Sequence, residues 1–156
     1  MSGDLATGFR LDLRLATDTV LVADWTLCRV LLMDDARFPW LVLVPRRPGL
    51  VEIDDLDEDD CGRLMHEIRR AMQALRGVIE CDKLNIGALG DIVRQLHVHV
   101  VARREGDAAW PGPVWGHGPA QRYLPEARDK LVAALRKEGR DDANGFISDM
   151  HVRRND

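Results

Sequence analysis

"RQLHVHVVAR" (residues 94–103) sets two histidines two positions apart in an apolar run, with a glutamine two positions before the first. Side chains alternate across a β-strand, so Val93, Gln95, His97, His99 and Val101 share one face. Leu96, Val98, Val100 and Ala102 share the other, which is apolar throughout and suited to packing on a helix. Residues 92–102 are therefore expected to form a central strand with one core face and one face carrying Gln, His, His. Successive groups on that face stand ~7 Å apart at a rise of ~3.3 Å per residue, so both imidazoles can touch one phosphate or one metal. Three readings follow. The histidines are ordinary residues of a half-exposed strand, or two ligands of a zinc site, or a nucleophile with a neighbour that binds phosphate or moves a proton. Zinc normally takes a third protein ligand, and His66, His117 and His151 qualify only by arithmetic, with no supporting spacing.

Outward from this stretch, residues 83–87 read as a short strand and residues 87–91 as a glycine-containing loop. Upstream, "LCRVLLMDD" (27–35) and "WLVLVPRR" (40–47) are branched, apolar and bounded by turn signals, as strands are. The short "DDARFP" (34–39) between them suits an antiparallel hairpin, and Pro45 and Pro48 stop the second strand. Residues 10–25 mix short alternation with a possible turn at 16–18. A helix is expected from about residue 56 to 76, with Cys61, Leu64, Met65, Ile68, Met72 and Leu75 on its apolar face. Asp55 suits its cap, with Glu58 three residues on, and Gly77 its stop. The acid run 52–60 reads as a solvated helix start rather than a metal site, and His66 as an exposed residue among charges. Residues 106–120, "GDAAWPGPVWGHGPA", have no period and form an ordered loop or the wall of a site. Residues 124–139 read as a second helix, with Pro125 in its first turn, Leu131 and Leu135 inward and Gly139 at its end. The last residues are expected to fray. The sum is α+β with a mostly antiparallel sheet.

The chain has 156 residues and a net charge of −4. It is long enough for a real core, and its charge argues against a nucleic-acid polymer as partner. The three cysteines are far apart and form no CxxC pair, which suits a reduced, cytoplasmic setting. No stretch has the pattern of a signal peptide or a membrane span.

"QLHVHVV" resembles the motif of the histidine-triad (HIT) family, His-φ-His-φ-His-φ-φ with φ apolar. Gln95 stands at the first histidine position, His97 at the second and His99 at the third. "NIGALGD" resembles the family's Asn-φ-Gly…Gly turn, and "VLLMDDARFPWLVLVPRRP" its nucleotide-binding hairpin. Together these cover about residues 27–103. "QLHVHVVAR" with "RFPWLVLVPR" is most similar to a bacterial HIT-like branch with Gln at the first position and a "WPxPVWG"-like tail, here Trp110 to Gly116. The resemblance implies one HIT-like domain over 1–156, with a core of about 10–105 and a C-terminal loop and helix over about 106–156. It implies a mostly antiparallel five-stranded sheet, a long helix and a C-terminal helix.

It also implies a homodimeric nucleotide hydrolase or nucleotidyl transferase that acts on an α-phosphate, with no cofactor and no obligatory metal. His97 would then be the nucleophile that forms a nucleotidyl-histidine, and His99 would contact phosphate and support the transfer. Gln95 would reach the same pocket as a neighbour that does not titrate. Asn85 matches the asparagine at the nucleotide site, and Asp34 falls where an acid or asparagine binds the ribose hydroxyls. Without the resemblance Asp34 is a turn residue. Asp91 stands where related hydrolases place a polar amide near the leaving phosphate. An anion there repels phosphate unless it is turned away, paired with Arg94 or protonated. The family commonly has a histidine just before the second hairpin strand, whereas Phe38-Pro39-Trp40 has none. Arg103 and Arg104 follow the motif and read as surface charge, or else as neutralisers of phosphate. Dinucleoside polyphosphates and nucleoside phosphoramidates are the expected substrate classes. A nucleotide-binding protein with little or no turnover is the main alternative, and a zinc-dependent hydrolase the third.

Overall fold

Two apolar runs in the first third of the chain pair as expected. Strand β2 (Cys28–Met33) and strand β3 (Trp40–Pro45) are antiparallel, with Leu31 opposite Val42. Every residue of β3 is buried. Strands covered on both faces read as continuous apolar runs rather than as alternation, and these two are covered on both. The structure, a computed structural model, describes residues 7–140. The expected fraying of the last residues falls outside them.

Around this hairpin lie a short helix α1 (Leu13–Asp18), strand β1 (Thr19–Asp24), a long helix α2 (Glu58–Val78), strand β4 (Lys83–Gly87), strand β5 (Val98–Arg103) and helix α3 (Pro125–Glu138). The five strands form one antiparallel sheet in the order β1-β2-β3-β5-β4. This is the α+β architecture that the residue pattern predicts. Among the described residues no helix is long and apolar enough to cross a membrane.

One sheet face packs on α2 and α3. Leu96, Val98, Val100 and Ala102 join Leu64, Ile68, Ala71 and Leu75 of α2 in one core. The other face carries a second core of Phe9, Leu15, Phe38, Trp40, Val42, Val93, Val101 and Val114. Helix α2 departs from expectation in detail. Asp57, not Asp55, caps it by accepting from the Asp60 N–H at 2.8 Å. Asp55 instead accepts from the Val51 and Glu52 amides and closes the short 3-10 turn Ile53–Asp55. The helix runs through Gly77 to Val78. Met65 is 59% exposed; it lies ~100° around the helix from Leu64, off the stripe Leu64–Ile68–Ala71–Leu75. A buried Glu67 takes an inward place instead, and its two oxygens accept the Leu27 and Cys28 amides at 2.8 Å each. Helix α3 matches the expectation, with Leu135 buried, Leu131 half-buried and the Gly139 N–H closing on Leu135.

The expected strand over 92–102 is shorter at its start and one residue longer at its end. Its ladder begins at Val98 opposite Leu43, while β4 pairs only as far as Gly87 opposite His99. Residues 92–97 have no strand beside them, so they run as irregular chain, tied by the Leu96 N–H to Leu50.

Arg103 is not a surface charge. It is 2% exposed and donates twice to Asp107, once to the Asn85 side chain and once to the Gly112 carbonyl. These bonds pin the loop that follows β5, and that loop carries Val114 and Trp115 onto the second core.

Candidate active site

The alternation that sends Leu96 and Val98 into the helix-side core sends His97 and His99 to the opposite face. There a cavity of about 540 Å³ opens between the start of β5, helix α1 and the loop after β5. His97 and His99 both line it, their ring centroids 4.8 Å apart. Both are buried, at 7% and 6% exposure.

Each imidazole is set by one neighbour. The His97 Nδ1 lies 2.7 Å from the Gln95 main-chain carbonyl. A carbonyl only accepts, so Nδ1 carries the proton and Nε2 of the neutral ring keeps its lone pair. His99 is the reverse. The Trp40 Nε1–H donates to its Nδ1 at 2.9 Å. An indole N–H only donates, so Nδ1 is the acceptor and Nε2 carries the proton. Burial, with His97 beside it, pulls the His99 pKa down to about 3. Trp115 packs edge-on against both His99 and Trp40. Its ring lies over Gly87, where a Cβ would meet it at 3.1 Å, so the glycine of "NIG" makes room for the cavity wall.

Gln95 does not line this cavity. Its side-chain oxygen accepts the Asp12 N–H and its side-chain nitrogen donates to the Arg10 carbonyl, both at 2.8 Å. The amide therefore clamps the N-terminal segment, whose Arg14, Leu15 and Asp18 form part of the cavity wall. Gln95 serves His97 through its main chain rather than its side chain. Asp34 also lies outside the wall. It is buried, with Arg122 Nη1 at 3.1 Å and the Tyr123 N–H at 3.0 Å on its carboxylate. Asn85 is turned to Arg103. Asp91 does line the cavity, is exposed, and makes no ion pair with Arg94 among the described residues.

Asp35 and Arg37 are cavity residues that the sequence reading did not single out. Burial works to raise the Asp35 pKa, but the Arg37 side chain and the Arg37 and Gln121 amides hold it below the ordinary carboxylate range. Trp40, Arg14 and Asp18 also line the cavity without having been singled out, whereas Trp115 stands in the 106–120 loop that the sequence offers as a site wall. Trp40 was legible in principle. It shares a face with Val42, which pairs with His99, so it is a diagonal neighbour of that histidine. Among the described residues no cluster of three or more His, Cys, Asp or Glu is placed to hold a metal.

The fold and site define a class of small α+β domains with two imidazoles at the start of a central strand. Residues 14–106 match the family model of the HIT domain. The chain belongs to the histidine-triad family. A histidine triad protein from Bradyrhizobium japonicum is 50% identical, with 83% of this chain and 97% of that one covered, at a TM-score of 0.81. One from Sinorhizobium meliloti is 45% identical, with 83% and 96% covered, at 0.82. One from Marinobacter aquaeolei is 42% identical, with 83% and 95% covered, at 0.81. No curated protein matches. Membership of this family supports a nucleotide-binding or nucleotide-hydrolase type of function in general.

Proposed function

We propose that this protein is a nucleotide hydrolase or nucleotidyl transferase acting on the α-phosphate of a nucleotide through a covalent intermediate on His97. The carrying observation is the opposite setting of the two motif imidazoles. His97 turns an Nε2 lone pair to the cavity, and His99 turns an N–H to it. The first is what an attack on phosphorus needs, and the second is what a phosphoryl oxygen gaining charge needs.

The His97 Nε2–phosphorus bond forms as the bond to the leaving group breaks, and the electron pair goes with that group. Water then attacks phosphorus, the P–N bond breaks, and its electron pair returns to Nε2. A nucleoside monophosphate departs and the water's proton passes to solvent. His99 donates Nε2–H to a phosphoryl oxygen in both steps. Asp91 offers an acceptor to a hydroxyl of the nucleotide rather than a contact to phosphate. Asp34 and Asn85 support the site from behind, through residues 122–123 and Arg103. Dinucleoside polyphosphates and nucleoside phosphoramidates are the substrate classes to assay.

The second reading, a nucleotide-binding protein with little turnover, draws on the three carboxylates in the wall, Asp18, Asp35 and Asp91, against two guanidiniums, Arg14 and Arg37. A nucleotide labelled at the α-phosphate separates the two. Nucleotidyl transfer leaves the protein labelled after quenching in denaturant at alkaline pH, where a phosphorus–nitrogen bond persists, and His97→Ala removes both label and turnover while keeping the fold. Binding without label or turnover supports the second reading. Wild-type kcat in His97→Ala on a confirmed substrate refutes the nucleophile assignment.

We further infer a cytoplasmic homodimer. Strand β4 is an edge of the sheet, and Ile86 on it is 46% exposed; a second copy can pair there. A sedimentation mass near 17.6 kDa at micromolar concentration would exclude it.

A further inference from the structure

We propose that Trp40 is a specificity-determining residue: by occupying the His99 Nδ1 it leaves the site without a general acid and restricts turnover to leaving groups that depart as stable oxyanions. The inference rests on the nucleotidyl-transfer reading and goes beyond it by choosing among leaving groups.

Trp40 is 7% exposed and donates its only N–H to His99. A proton can reach Nδ1 only if that bond breaks and two N–H groups face each other in a dry place. The ring is closed in by Trp40, Trp115 and His97. His99 therefore holds one proton, on Nε2, which it can share with a phosphoryl oxygen but not surrender. His97 has no proton to give either. Its Nδ1–H is on the Gln95 carbonyl, and its Nε2 is consumed by the bond to phosphorus. The other charged residues of the wall are Arg14, Asp18, Asp35, Arg37 and Asp91. The guanidiniums do not give up a proton, and the aspartates, ionised at neutral pH, only accept one.

The balance of the first step then selects the substrate. The P–X electron pair leaves on X, and no side chain in the cavity supplies X with a proton. A phosphate or carboxylate oxygen accepts that pair unaided; an amine or an alkoxide does not. The substrate is accordingly an anhydride of the nucleotide α-phosphate, phosphoryl or acyl, and not a phosphoramidate or an alkyl ester.

The test uses the full chain and nucleoside 5′-phosphate derivatives that differ only in the leaving group. They are a dinucleoside polyphosphate, an acyl anhydride, substituted phenyl esters of graded acidity, an alkyl ester and a phosphoramidate. We expect kcat/KM to fall steeply as the leaving group becomes more basic, with either anhydride at least about a hundredfold ahead of the phosphoramidate, the scale of a missing general acid. Trp40→Phe keeps a ring in place and frees Nδ1, and Trp40→His puts an imidazole there. Both should narrow the anhydride-to-phosphoramidate ratio by about tenfold or more. Nitrogen NMR of His99 in the free protein should show a protonated Nε2 and a bare Nδ1. A shallow dependence on the leaving group in an enzyme that labels on His97 overturns the role of Trp40 alone. So does a proton on Nδ1, or an unchanged ratio in a folded Trp40→Phe. Absence of label and turnover across the panel overturns the nucleotidyl-transfer reading, and this inference with it.

Discussion

Replacing Gln95 with alanine isolates a clamp that lies outside the chemistry. Two hydrogen bonds of 2.8 Å disappear, from the Asp12 N–H and to the Arg10 carbonyl. Each is worth ~0.5–1.5 kcal/mol net. Both main-chain partners are close enough to solvent to be rehydrated, so the sum falls at ~1–2 kcal/mol rather than at the cost of buried orphans. The segment released carries Arg14, Leu15 and Asp18 of the cavity wall, while the Gln95 carbonyl that sets His97 is main chain and stays. The expected loss in kcat/KM is therefore about tenfold, carried mostly by KM. Urea midpoints give the stability term, and hydrogen exchange over residues 9–18 shows where it acts. Gln95→Glu sharpens the comparison. It keeps the acceptor for Asp12 but sets a carboxylate oxygen against the Arg10 carbonyl, so it should cost at least as much as alanine. Gln95→His restores the three-histidine pattern without rescue, because the two nitrogens of an imidazole do not project side by side as the O and N of an amide do. An unmoved midpoint with unchanged exchange would refute the clamp. A loss as deep as that of His97→Ala would place Gln95 in the chemistry.

His99 titrates near 3 in the fold against an ordinary 6.5, so the unfolded chain binds the extra proton between those values. The stability tied to its neutral form is full above about pH 6.5 and is lost as pH falls toward 3. His99→Asn should flatten that part of the acid limb in urea titrations, and an identical limb would refute the assignment. Asp107→Ala should cost about 3 kcal/mol, because it strips the ion-pair partner from Arg103, which is 2% exposed; a thermal midpoint that barely moves would show the loop after β5 held by other contacts. Activity should survive exhaustive chelation, since an imidazole nucleophile needs no metal; loss restored by one specific ion would favour the zinc reading.

Hydrophobic period made most of the fold legible. The two-residue alternation of 96–102 assigned Leu96, Val98, Val100 and Ala102 to the helix-side core and both histidines to the other face, as found. Glycine and proline placed the hairpin between β2 and β3 and both ends of α3. Period failed where local alternation and available partners disagree. Residues 92–97 alternate well enough for a strand but have no neighbour to pair with, and no pattern within the segment could say so. The α2 cap shifted because Asp54, Asp55 and Asp57 all stand just before the helix and the 3-10 turn there claimed Asp55.

The site was legible by position but not by bonding. Alternation gave His97 and His99 one cavity, yet gave no hint that their tautomers are opposed. That opposition comes from a carbonyl two residues away in one case and from an indole fifty-nine residues away in the other. Polar side chains depend on distant partners in the same way. Gln95, Asp34 and Asn85 each have the chemistry to hold a nucleotide, and in each case a nearer protein group already uses it: the Arg10–Asp12 segment, the Arg122–Tyr123 segment and Arg103. A short polar side chain in a half-buried position is first a partner for unsatisfied backbone or charge, and only the surplus is left for a ligand. By that rule the two histidines stand out. Each has one ring nitrogen engaged by the protein and the other left to the cavity they share.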